Sequence, residues 1–140
     1  KKTNVPIFTI PDGYKYIAIK NILMAFKSGI VKSKTALKPL QFIVSKFNSD
    51  VNLLLVKTPN YTEEDLVLNK DLEQLKSSLT ITEQATTFQG VLEHFQKNQP
   101  DLLCVFTRKR GFFKKLWEKS TILKEEFNTS VPLLILKGKN

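Results

Sequence analysis

Four continuous apolar stretches, Ile19–Phe26, Val51–Lys57, Leu102–Thr107 and Pro132–Leu136, stand out along the chain. Each is short, rich in Val, Ile or Leu, and unbroken by alternating polar positions. Such runs suit strands covered on both faces, as in a parallel sheet. Leu79–Thr82 is a weaker fifth candidate. Between these runs the apolar positions change to helical spacing. Leu37, Leu40, Ile43, Val44 and Phe47 predict one helix, with Ser33 or Thr35 as its cap and Pro39 in its first turn. Leu68, Leu72 and Leu75 predict a second, starting near the capping-box-like Thr62-Glu63-Glu64-Asp65. Phe88, Val91, Leu92 and Phe95 predict a third, ending before Pro100, and Ile122, Leu123 and Phe127 a fourth, ending near Asn128. Strand and helix alternate, which is the pattern of a layered α/β domain with right-handed crossovers.

The amino end departs from this alternation. Val5-Pro6-Ile7-Phe8-Thr9-Ile10 is a further apolar run, followed by the turn signal Pro11-Asp12-Gly13. It echoes Val131-Pro132-Leu133-Leu134-Ile135-Leu136, which lies 126 residues later, about one domain length away. The echo predicts that residues 1–15 are the last strand and linker of a preceding similar domain, and that 16–140 form the domain proper. It also predicts pairing of Val5–Ile10 with Val131–Leu136, within one chain or across a homodimer.

The 140 residues suffice for one domain with its own core, and 41% hydrophobic with 25% charged residues is ordinary for a soluble domain. No apolar run approaches the ~20 residues of a membrane span, and the amino end carries no charged-then-apolar leader. The single cysteine, Cys104, lies inside an apolar run. That predicts a buried thiol, excludes an internal disulfide or cysteine-rich zinc site, and fits a reducing cytoplasm. His94 is the only histidine and reads as a surface residue. The net charge of +9 favours anionic partners without choosing among them. Six of the positive charges fall within residues 108–119, interleaved with Phe112, Phe113 and Trp117. This cluster reads either as a solvated basic loop or as an anion-docking segment.

Several segments resemble the universal stress protein family, and the resemblance covers nearly the whole chain. Lys20-Asn21-Ile22-Leu23-Met24-Ala25 resembles the family's opening strand, and Ala36 through Asn48 its first helix. Pro100-Asp101-Leu102-Leu103-Cys104-Val105 is similar to the aspartate and apolar strand that precede the family's nucleotide loop. Ser120 through Phe127 and Thr129 through Leu136 are similar to its closing helix and strand, and Thr107 through Phe113 to divergent, tandem members. The resemblance implies a three-layer sandwich around a five-stranded parallel sheet in the order 3-2-1-4-5, of the adenine nucleotide alpha hydrolase-like kind, here with an extra amino-terminal strand. It also implies association through the fifth strand, at Val131, Leu133, Leu134, Ile135 and Leu136, with a preceding domain or a second copy.

Nucleotide-binding members carry, after the fourth strand, a loop of Gly, two residues, Gly, nine residues, Gly, then Ser or Thr. Glycines let backbone amides approach phosphates, and the hydroxyl lies where a helix start favours anions. Anchored on Ser120, the second and third glycine positions fall on Lys109 and Lys119, and Gly111 stands two residues past the second. The acidic residue expected at the end of the first strand falls on Lys27. By resemblance, the degenerate nucleotide or anion site would draw on Lys27, Val56, Thr107, Lys109, Arg110, Gly111, Lys119, Ser120 and Thr121. Bulky cationic groups in the cradle lead to an expectation of weak or no ATP binding, and no cofactor or metal. No catalytic motif is visible, so a binding module is expected rather than an enzyme, with neither membrane nor nucleic acid as its main partner.

Overall fold

The computed structural model describes residues 6–10, 13–15, 17–106 and 131–137. The fourth predicted helix and all of 107–130 lie outside the described residues. The described elements are strands β1 (Ile7–Thr9), β2 (Asn21–Phe26), β3 (Asp50–Lys57), β4 (Ser78–Glu83), β5 (Leu102–Phe106) and β6 (Leu133–Leu136), with helices α1 (Lys38–Phe47), α2 (Lys70–Leu75) and α3 (Thr87–Asn98). The strands form one sheet in the order β1-β6-β5-β2-β3-β4. Neighbours from β4 through β6 run parallel, and β1 lies antiparallel on β6. The sheet is therefore six-stranded and mixed, where the resemblance implied five parallel strands with one added.

The unbroken apolar runs have a direct physical cause. Side chains alternate between sheet faces, and here both faces are covered. On one face Ile22, Met24, Phe26, Leu53, Leu55, Leu102, Cys104, Phe106, Leu134 and Leu136 pack with Leu37 and Leu40 at the start of α1 and Leu72 of α2. On the other, Leu23, Ala25, Leu54, Val56, Leu103, Val105 and Ile135 pack with Val91 and Phe95 of α3. Each fully buried Leu or Ile side chain contributes about 1.5–3 kcal/mol, so these two layers dominate the stability. Gly90 lets α3 sit close: a methyl group there would come within 2.6 Å of Val56 Cγ2.

Three local expectations need correction. The first strand begins at Asn21 rather than Ile19, because the amides of Lys20 and Asn21 donate to the Asp101 carboxylate (3.0 and 2.9 Å) instead of to a neighbouring strand. Neither Ser33 nor Thr35 caps α1. Leu37 holds the cap position without a side-chain bond, and the two hydroxyls bond each other (3.2 Å) in the preceding turn. Pro39 does fall in the first turn. The second predicted helix is two elements, a single 3-10 turn Glu63–Leu66 boxed by Thr62 and Asp65, and α2, capped by Asn69. Leu79–Thr82 extends to the full six-residue edge strand β4, whose signal was weak because one of its edges and much of its surface meet solvent. The third helix ends as expected, with Gln99 left-handed (φ 42°) before Pro100.

Candidate functional site

A parallel sheet offers a ligand crevice beyond the carboxyl ends of its strands, where successive connections depart in opposite directions. In this chain that point lies between β2 and β5. From β2 the chain proceeds through α1 to β3 on one side, while β5 leads to β6 on the other. That point is marked by the carboxyl ends of β2, at Phe26, and β5, at Phe106.

Lys27 follows the first of these ends, half-buried. Next to it, the Ser28 hydroxyl accepts the Ile30 amide (3.1 Å) and reaches the Asp65 carboxylate. Asp65 also accepts the Thr62 amide (2.8 Å) and hydroxyl (3.1 Å). The Thr62 amide, then Ser28, then the Thr62 hydroxyl and the nearby Lys27 charge hold its carboxyl below the usual range. The backbone closes the same junction: the Gly29 amide donates to the Asp65 carbonyl (2.8 Å), and the Asn69 amide to the Gly29 carbonyl (2.7 Å). Gly29 is required here, because any Cβ would run into the Val67 carbonyl and the Leu68 backbone. Ile30, Tyr61 and Val67 remain exposed around this end of the sheet.

One strand further, Lys57 at the end of β3 donates to Glu83 of β4 (3.1 Å) and lies 4.5 Å over the Tyr61 ring. Glu83 first, then Tyr61, raise its pKa. The parallel register places Lys57 directly beside Glu83.

The structure places the expected site residues unevenly. Lys27 is at the mouth of the crevice. Val56 is fully buried and packs against Gly90 of α3. Thr107, Lys109, Arg110, Gly111, Lys119, Ser120 and Thr121 lie outside the described residues. Val131 and Leu133 pack on the α3 face, and Leu133–Leu136 form β6. Asp101, expected as the residue preceding the fourth strand, has a structural role: its carboxylate binds the start of β2. His94 is half-buried, with Nδ1 3.0 Å from the Gly90 carbonyl. Cys104 is buried, and burial pushes its thiol pKa far up. Among the described residues no group of His, Cys, Asp or Glu could hold a metal ion, and no helix is long and apolar enough to cross a membrane.

Two features escaped the sequence. The Ser28–Gly29 junction with Thr62–Asp65 and Asn69 left only a trace, the Thr62…Asp65 box that reads as a helix start. The Lys57–Glu83 pair left none, since its partners are 26 residues apart and meet only through strand register.

No protein-family profile matches the chain, and no curated protein does. Among solved structures, that of a universal stress protein from Archaeoglobus fulgidus DSM 4304 matches with a TM-score of 0.60 and 17% sequence identity. The match covers 99% of this chain and 52% of that one, so this chain spans about half its length. Likeness of this kind is a statement about architecture: the chain has a universal stress protein-like α/β fold.

Proposed function

We propose that this chain is a universal stress protein-like domain that acts in a stress response by protein association, with weak or no ATP binding. The observation that carries this reading is Lys27 at the carboxyl end of β2, on the rim of the crevice between β2 and β5. A cation stands there in place of the carboxylate that nucleotide-binding relatives would supply. The replaced glycine positions at Lys109 and Lys119 point the same way, because glycine is the residue whose backbone can approach a phosphate most closely. The partner is a preceding similar domain or a second copy of this chain, met through β6. In this chain that edge of β6 carries β1, whose Ile7 and Phe8, with Ile10 after it, are exposed apolar groups.

Titration calorimetry with Mg-ATP, backed by thermal shift, tests the nucleotide half of this reading. No saturable heat and no rise in melting temperature at millimolar ligand are expected. A saturable heat lost in Lys109→Ala or Lys119→Ala would overturn it in favour of a nucleotide-binding domain that grips phosphate through Lys109, Lys119 and Ser120.

A further inference from the structure

β4 ends the sheet on the side away from β6, and among the described residues nothing pairs with its outer edge. Edge strands are ordinarily guarded by proline, by lysine, or by a bulge that twists the edge away. Ser78-Leu79-Thr80-Ile81-Thr82-Glu83 has none of these. Its residues match those of β3 one to one from Ser78 to Glu83, so no bulge interrupts it. Its one charge, Glu83, is drawn to Lys57 of β3. Ile81 is 49% exposed on the sheet face where Leu79 packs against the core.

The backbone directions decide what this edge can accept. The Gln84 amide donates inward to the Lys57 carbonyl, and peptide groups alternate in direction along a strand. Ser78, Thr80 and Thr82 therefore turn their amides and carbonyls to β3, while Leu79, Ile81 and Glu83 turn theirs outward. In an antiparallel pair, facing residues share one face of the sheet. A second β4, turned by a two-fold axis through Thr80, meets both conditions. It sets Leu79 opposite Ile81 twice and Ser78 opposite Thr82 twice, with Thr80 opposite itself. The Leu79–Ile81 pairs fall where the outward amides and carbonyls are, so each pair can exchange hydrogen bonds. An axis through Ile81 would instead set Leu79 against Glu83. An axis through Leu79 would bring only three residues of the strand into register.

We propose that the outer edge of β4 is a docking edge for a second copy of this chain, antiparallel about Thr80, which joins two sheets into one. The self-match of the strand in this register singles out a second copy as the occupant. The proposal goes beyond association through β6 and does not depend on it, since it uses the opposite side of the sheet. A strand of this length makes a small interface, so the pair is expected to be weak and reversible.

The test uses the full chain. Sedimentation velocity is expected to show the wild-type mass moving from one chain to two as concentration rises through the high-micromolar range. Thr80→Lys sets like charges against each other on the axis, and Ile81→Pro removes an outward amide without taking a bond from β3. Both are expected to hold the mass at one chain, and an unchanged circular dichroism spectrum for Thr80→Lys shows that the fold is kept. Facing Cα atoms at the axis lie about 4.5 Å apart, inside the roughly 4.4–6.8 Å that a disulfide spans. Thr80→Cys is therefore expected to cross-link to its own copy on mild oxidation, with Cys104 left buried. Thr82→Cys, whose counterpart is Ser78, is expected not to. A one-chain mass at every concentration up to the millimolar range overturns the proposal. So does a dimer that Thr80→Lys leaves intact; that dimer would form at another surface, and association through β6 would still stand. Cross-linking of Thr82→Cys as readily as of Thr80→Cys overturns the pairing about Thr80.

Discussion

Lys27 and Asp65 set the electrostatics at the end of β2, and Asp65 gives the more direct handle. Its carboxylate binds the Thr62 amide and hydroxyl and the Ser28 hydroxyl, so the folded chain takes up this proton less readily than the unfolded chain. The stability gained is full above the ordinary carboxylate range and fades as pH falls through the depressed folded value. Asp65→Asn is therefore expected to lower the urea midpoint at neutral pH. The gap from wild type should shrink towards zero as the pH is taken well below that range, and a gap independent of pH would contradict this account. Cys104 gives a second expectation at this scale. Buried in the sheet core with its thiol pKa pushed up, it should stay inert to a thiol reagent such as DTNB until denaturant unfolds the chain. Rapid labelling of the native protein would contradict the burial.

At the scale of elements, the contact of α3 with β3 depends on Gly90. Alanine is the better helix former by about 1 kcal/mol, yet its methyl group would press on the buried Val56 side chain. Overpacking costs typically about 1–3 kcal/mol, so Gly90→Ala is expected to destabilise the chain by roughly 1 kcal/mol net. Val56→Ala should relieve part of that cost. A double-mutant cycle from urea unfolding checks this, and strict additivity would contradict the contact. The same element shows what local sequence can and cannot carry. Pro100 follows the end of α3, as read along the chain, while Thr86, which caps its start, was not among the caps read there. The split between the 3-10 turn and α2 was not readable, because it follows from Gly29, which is distant in sequence and whose backbone takes bonds that a continuous helix would have kept. Likewise β4 gave a faint signal because only one of its edges is paired, so its burial pattern is poorer than that of the central strands.

At the scale of the molecule, the β-runs were legible because a sheet buried on both faces imposes continuous apolar composition on its central strands. β1 was legible through its likeness to β6, and the structure joins the two in one chain. The candidate site was much less legible. Lys27 could be placed by resemblance, whereas the Asp65 and Glu83 partners that fix the charge pattern beside it arrive through tertiary register. The functional account turns on that crevice being hostile to a triphosphate. Its most direct test is a 1H–15N correlation spectrum recorded while Mg-ATP is raised to millimolar concentration. The account predicts no saturable shifts of the Lys27–Ile30 and Leu102–Phe106 amides. Saturable shifts clustered at those two strand ends would contradict it.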